Sequence, residues 1–511
     1  MSKQNGGIIG PDNVTTGGFN GVASGVFKLG EVTDLIRQSK WPEISPFTNT
    51  VPNSLRFNRA SSDSLNKTFG TPTNSKKLTI SFWTKLIAES GNDHHAFSNG
   101  TSNADESLIS FINSGNHNLE IKEDVSSSAT YQFVTNRIFR DPLAFYHIVI
   151  AWDTTQSTES NRLKLYINGV QETSLATANY PNLNQDIKFN TAIAQYIGKR
   201  NRNEGAFYNG YMAEVIFIDG TQLTPTSFGE FNSDSGIWIP KTITGLTFGN
   251  NGFYQKYTNA SALGEDFSGE DNDFAVTNIT TLDQTSDSPS NNFSTLNSLE
   301  YSGGGKTFSE GNTKQFLTGV SNFTRSSIGV AKGKWYCEVK LISGTRAMYG
   351  ISSYLSNAAS NYIGELGNTT VGYSYGIIGN TGRLYHAGSS TANWVSTFAN
   401  SNIIMLAMDL DNYKLYFGKN GTWERSGDPT SGSTGTGAYT IVAPSLSVTG
   451  FYHFAFGCNS TGEDNTSEMN FGNPPFALSS AVTDGNGFGN FEYTVPTGYL
   501  SLCTNNLNIL E

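Results

Sequence analysis

A strand with two unlike faces, followed by a hairpin, constrains this chain more than any other feature. Residues 332–341 read Lys-Gly-Lys-Trp-Tyr-Cys-Glu-Val-Lys-Leu, so Trp335, Cys337, Val339 and Leu341 alternate with Tyr336, Glu338 and Lys340. A period of two puts the first set on one apolar face and the second on one wet face. Downstream, Leu415 and Phe417 run into Asn420-Gly421. Asn-Gly is the strongest short hairpin signal, because a type I′ turn needs φ > 0 at both central residues. The same pattern stands earlier, where Leu165-Tyr166 leads to Asn168-Gly169. It is one piece of hairpin physics used twice, not a tandem repeat.

Composition agrees. Only 15% of residues are charged against 37% hydrophobic and 12% aromatic, with 54 glycines and a remainder dominated by Ser, Thr and Asn. That texture favours strands and turns over helices. The expected fold is all-β: two jelly-roll β-sandwich domains in tandem behind a short amino-terminal docking segment with one helix. At 511 residues the chain has room for roughly three domains of about 150 residues.

Five segments are expected. Residues 1–50 open on Gly6-Gly-Ile-Ile-Gly-Pro11, and their helix is predicted over 29–39, with Val32, Leu35 and Ile36 at helical spacing. Trp41-Pro42 ends it, since the residue before proline is pushed out of the α region. Residues 51–233 form the first sandwich, with Leu78, Ile80 and Phe82 on one strand face and Tyr146, Ile148, Ile150 and Trp152 on another. Residues 234–300 are a turn-rich linker packed on a sandwich through Phe248, Phe253 and Tyr254. Residues 301–476 form the second sandwich and 477–511 a tail.

The order of the "isFW" strand (residues 80–83), the strand ending Trp152-Asp153 before "LyiNG", and "GymaEViFidg" at 210–220 resembles the laminin-G-like branch of concanavalin-A-type jelly rolls. The order of 332–341, Met348-Tyr-Gly-Ile351 and 405–423 resembles the SPRY family. Both resemblances imply binding modules and not catalysts. The laminin-G resemblance allows a calcium ion at the rim of the first sandwich, held by Asp and carbonyl oxygens; no residue of this chain maps onto that role. No other cofactor is implied. In SPRY domains loops at one end of the sandwich make the binding surface, which points to Tyr354, Tyr362, Tyr385 and Trp394.

Other chemistry finds little footing. Gly303-Gly-Gly-Lys-Thr307 imitates a phosphate loop, but the required earlier glycine is Glu300. Paired carboxylates of a retaining glycosidase sit about 5 Å apart, and no strand offers Glu and Asp at alternate positions. Asp93-His94-His95 could hold a metal, yet neighbours on a strand point to opposite faces, and an exposed loop tip is expected. Trp83, Trp152 and Trp335 are expected in cores. Cys337, Cys458 and Cys503 are too few and scattered for a disulfide framework or zinc site. A net charge of −11 without a basic stripe argues against nucleic acid. No apolar run approaches the ~20 residues of a membrane span, and the amino terminus lacks a secretory signal core.

The amino-terminal segment, "DSPSNNFSTLNSL" at 287–299 and "YTVPTGYLSLCTNNL" at 493–507 resemble proteins of tailed bacteriophages. That implies a virion structural protein made in the host cytoplasm, most simply a tail-fibre or receptor-binding appendage. Residues 1–50 would meet other virion proteins, the sandwiches host-surface glycan or protein, and the chain would form a homo-oligomer, a trimer by family habit. A capsid decoration or head-fibre protein is the alternative, and a carbohydrate-active enzyme a minor one.

Overall fold

The structure is a computed structural model that describes residues 51–510, apart from 88–90, 103, 113–116, 202–205, 234, 301–304, 355–361, 365–372, 448 and 461. Before residue 51 it describes only the backbone of two paired strands, Ile8–Gly10 and Gly25–Phe27. The helix predicted over 29–39 lies outside the described residues.

The regular structure of the described residues is nearly all strand. In the first sandwich, one eight-stranded sheet is centred on Tyr146–Asp153, Lys77–Leu86 and Gly210–Asp219. The facing eight-stranded sheet runs from Leu175–Asn179 through Ser128–Ile138, Asn118–Val125, Asp105–Ile112 and His94–Ser102 to Ala275–Thr277. Register follows the alternation: Phe82 lies opposite Ile148, Ile80 opposite Ile150 and Leu78 opposite Trp152. These side chains meet the other sheet in one core with Leu55, Phe97, Ile109 and Phe133. Asn168 and Gly169 have φ of 48° and 79°, and Asn420 and Gly421 have 48° and 84°, the conformation a type I′ hairpin demands.

Residues 234–300 supply strands to this sandwich. Phe253–Gln255 pairs with Gly210–Asp219, Ala275–Thr277 with Ser64–Thr68, and Gln284–Thr285 with Ser54–Phe57. A bulge between Ala213 and Ile216, with Glu214 at φ 48°, lets one strand change partners along its length.

The second sandwich packs a nine-stranded sheet, centred on Asn465–Asn470, Lys334–Ser343, Ile403–Asp409 and Lys414–Lys419, on a six-stranded one from Asn322–Arg325 to Ser389–Thr391. Trp335, Cys337, Val339 and Leu341 enter its core.

Their neighbours contradict the wet face expected of this strand, for Tyr336 and Glu338 are both 0% exposed. The tail covers them. Phe491, Val495 and Tyr499 pack on Tyr336, Met405 and Tyr416, and Leu500–Ser501 adds a parallel strand. The Glu338 carboxylate accepts the backbone N–H groups of Glu492 and Tyr493, each at 2.9 Å, and the Tyr336 hydroxyl at 2.9 Å. Burial raises its pKa while these donors oppose the shift. The tail then closes on a helix, Thr504–Leu510, unforeseen in the sequence.

Buried polar contacts join the sandwiches. Arg56 of the first, 0% exposed, meets Glu310 of the second at 3.4 Å and Asp283 at 4.0 Å. The Tyr211 hydroxyl donates to Gly311 O at 2.8 Å. Buried Lys85 pairs with Asp287, whose other carboxylate oxygen accepts from Phe293 N. Asn292 N donates to Thr504 of the closing helix at 3.0 Å.

Candidate ligand-binding face

An aromatic ledge forms where the two sheets of the second sandwich meet. Strands Ser374–Ile378 and Leu384–His386 pair so that Tyr375 faces His386, and directly opposed residues share a face. Their rings stack at 4.2 Å and 13°, with Tyr373 on the same histidine at 6.3 Å and 29°. The other sheet contributes Tyr439, opposite Leu415, with its ring 5.5 Å from Tyr375 and 6.3 Å from His386. Trp394 meets Tyr439 edge-on at 5.1 Å, and the Arg425 guanidinium lies 4.2 Å over the Trp394 ring. Tyr375 is buried; Tyr373, His386, Trp394 and Tyr439 are half-buried and Arg425 is exposed. Burial raises the Tyr375 and Tyr439 hydroxyls above the usual tyrosine range, so both stay neutral near pH 7.

The ledge brings rings, a cation and partial exposure together among the described residues of the second sandwich. Rings of this kind accept a sugar or side-chain face, and the guanidinium adds donors in a fixed fork.

The residues that sequence reasoning singled out divide between two places. Tyr354, Tyr362 and Tyr385 gather around Phe323, Met348 and Ile363, with the Tyr362 and Tyr385 rings edge-on at 5.5 Å. Tyr354 is buried there and packs on Phe323 at 5.7 Å. Trp394 alone belongs to the ledge. Tyr373, His386, Arg425 and Tyr439 were missed. The Trp423-Glu-Arg425 run just past the Asn-Gly hairpin was the available signal, since a loop there must leave the sheet edge.

Other chemical groupings read as structural. His94 and His95 do not form the expected loop tip: they open strand His94–Ser102, opposite Phe111 and Ser110, and are 0% and 4% exposed. Burial pushes the His95 pKa down to about 4 and His94 well below its ordinary value, so both are neutral at pH 7. Ser81 Oγ lies 2.9 Å from His147 Nε2, as in a nucleophile–base pair. The Trp238 indole, however, donates to His147 Nδ1 at 2.9 Å. An indole only donates, so Nδ1 is the acceptor, Nε2 carries the proton, and this histidine cannot take one from Ser81. Lys306 opens strand Lys306–Ser309, not a helix, and donates to Phe323 O at 2.6 Å.

A calcium ion needs carboxylates with spare lone pairs. At the strand ends of the first sandwich, Asp219 accepts from Thr73 N, Asn74 N, Asn190 and Asn251 N. Asp153 accepts from Thr155 and Gln156 and pairs with Lys77 at 3.2 Å. These two do not fit the role, being filled by protein donors. Among the described residues no group of three or more His, Cys, Asp or Glu could hold a metal, and no helix is long and apolar enough to cross a membrane.

Residues 60–226 match the family model described as Concanavalin A-like lectin/glucanases superfamily. Similar solved structures include the SPRY domain of human HERC1, at 13% identity and TM-score 0.23, covering 31% of this chain and 87% of that one. The TRIM65 PSpry domain is similar at 14% identity and TM-score 0.26, covering 35% and 91%. A heptameric SAP-like pentraxin from Limulus polyphemus is similar at 18% identity and TM-score 0.26, covering 35% and 80%. No curated protein matches the chain in sequence. The first sandwich is thus similar to the concanavalin-A-like lectin fold, within a nearly all-β chain.

Proposed function

We propose that this protein is a binding protein of a tailed-phage particle, a tail-fibre or receptor-binding appendage that engages a glycan or protein on the host surface. The half-exposed ledge of Trp394, Tyr439, His386 and Arg425 carries the binding half of this reading. The lectin-type family match of the first sandwich supports it. The particle half rests on sequence texture: the Gly-rich segment 1–50, which would dock on other virion proteins, and the phage-like phrases at 287–299 and 493–507. Assembly in the host cytoplasm as a homo-oligomer, a trimer by family habit, would multiply weak individual sites into useful avidity.

Electron cryomicroscopy of purified particles tests the assignment. Density for this chain on the tail or a fibre, with binding of residues 51–511 to host cells, is the expected result. Density spread across the capsid would replace the appendage with a decoration protein. Particles without the chain would remove the virion reading and leave the binding reading to stand on the ledge.

A further inference from the structure

Cations without acidic ion-pair partners stand near the ledge in a protein whose net charge is −11. Arg383 donates to Ser390 Oγ, Lys414 to Thr440 Oγ1 and Lys419 to Thr397 O, at 3.0, 2.9 and 3.0 Å. Thr397 lies three residues past Trp394, which brings Lys419 to the ledge, whereas Lys414 pairs with Thr440 on the face away from Tyr439 and Arg383 with Ser390, opposite Tyr385. Among the described residues none of these cations, nor Arg425, has a carboxylate within ion-pair distance. The neighbouring acids are occupied: Glu424 accepts Ser396 N at 3.0 Å, Asp428 accepts Thr430 N at 2.8 Å, and Asp409 pairs with Lys334 at 3.1 Å. Elsewhere some lysines and arginines pair with acids, as in Lys77–Asp153 and Lys314–Glu468, and others, such as Arg162, bond backbone carbonyls.

Arg425 is also held in place. It and Ser426 have φ of 58° and 50°, left-handed conformations that cost a non-glycine residue about 1 kcal/mol or more each. The turn that imposes them sets the guanidinium over Trp394. A guanidinium carries its N–H donors in its own plane, where a carboxylate is gripped by two parallel bonds.

We propose that the ledge binds an acidic glycan, with a sugar carboxylate on Arg425 and ring faces against Tyr439 and His386. Lys419, which shares its strand face with Leu415, opposite which Tyr439 stands, adds a second cation on the ledge's side of the sheet; Lys414, five residues away, points to the other face. This inference rests on the binding reading above and adds the class of ligand.

The test titrates the full chain with oligogalacturonate, which carries a carboxylate on every sugar. Neutral maltooligosaccharide, a phosphate-bearing teichoic acid and single-stranded oligo-dT are titrated in parallel. Oligogalacturonate binding that weakens about tenfold in Arg425→Gln, the scale of one lost charge-assisted pair, and weakens with salt supports the proposal. Equal binding of the neutral sugar, lost in Trp394→Ala but unmoved in Arg425→Gln, overturns the acidic ligand and keeps the ledge. Acidic-sugar binding that neither variant moves overturns the ledge itself. Preference for teichoic acid or oligo-dT, or no oligogalacturonate binding at millimolar sugar, overturns the glycan carboxylate.

Discussion

Among the described residues two histidines stack on aromatic rings, one in each sandwich. On the outer face of the first, His147 lies between Trp83 at 4.6 Å and 23° and Trp238 at 5.9 Å and 20°. In the second, His386 stacks on Tyr375 at 4.2 Å, next to Tyr439 and Trp394. The ring chemistry is similar and the surroundings are opposite. Both ring nitrogens of His147 are bonded, to Ser81 and Trp238, and all three rings are buried. Around His386, Tyr373, Tyr439 and Trp394 keep part of their surface in solvent. A stack closed on every side contributes to folding and has nothing left for a ligand. Only the open one retains unspent surface.

The closed interior should therefore respond to mutation in stability. The largest effect is expected at the seam. Arg56→Ala leaves Glu310 and Asp283 without their buried cation, and breaking such a pair from one side costs about 3–5 kcal/mol. Scanning calorimetry should then separate one unfolding transition into two, because the sandwiches share this contact. A single transition at unchanged temperature would mean that the seam is not energetic.

Trp238→Ala empties the space against which Gly169 and Gly229 pack and strips the donor from His147. Loss of a buried tryptophan costs about 3–5 kcal/mol. Urea denaturation should show that loss with ligand binding unaltered. A cost below about 1 kcal/mol would place Trp238 among surface residues and dissolve the contrast between the stacks.

Acid sharpens the contrast further. Burial lowers the His147 pKa to about 3, beneath the unfolded value of 6.5. The folded state then binds fewer protons between those values, so this contribution is present above pH 6.5 and fades as pH falls towards 3. The slope is about 1.4 kcal/mol per pH unit. His94 and His95, also lowered, act in the same sense, while Asp63, raised to about 7, acts in the opposite one. The difference between wild type and His147→Asn isolates one group: the variant should lose less stability than wild type between pH 6.5 and 4. Parallel curves would show that His147 is not held neutral by burial.

How much of this was legible follows the range of the interactions. Strand Lys334–Ser343 and both Asn-Gly hairpins were readable because period-two alternation and φ > 0 are properties of a few adjacent residues. The burial of Tyr336 and Glu338 was not readable, since what covers them arrives about 150 residues later in the chain, at Phe491, Tyr493 and Tyr499. His94 and His95 looked like a loop tip because two histidines carry little strand signal by themselves; pairing with Phe111 and Ser110 decided them. Trp394 was found as a loop aromatic, but Tyr439 reaches it through sheet pairing and Arg425 through a turn of a separate segment, which no local pattern records.

The open stack should give the smallest change in stability. Arg425 is exposed, makes no ion pair among the described residues and sits in a strained turn. Arg425→Gln should shift the urea midpoint by no more than about 0.5 kcal/mol in either direction, as is usual for surface substitutions. Trp394→Ala, removing a half-buried ring from its contact with Tyr439, should cost about 1 kcal/mol, between the surface and core cases. If Trp394→Ala were as costly as Trp238→Ala, the ledge would be core that merely reaches the surface. Surface that the fold does not need is surface a ligand can use. The comparison therefore turns on the ratio of these two tryptophan costs, measured in the same denaturant and buffer.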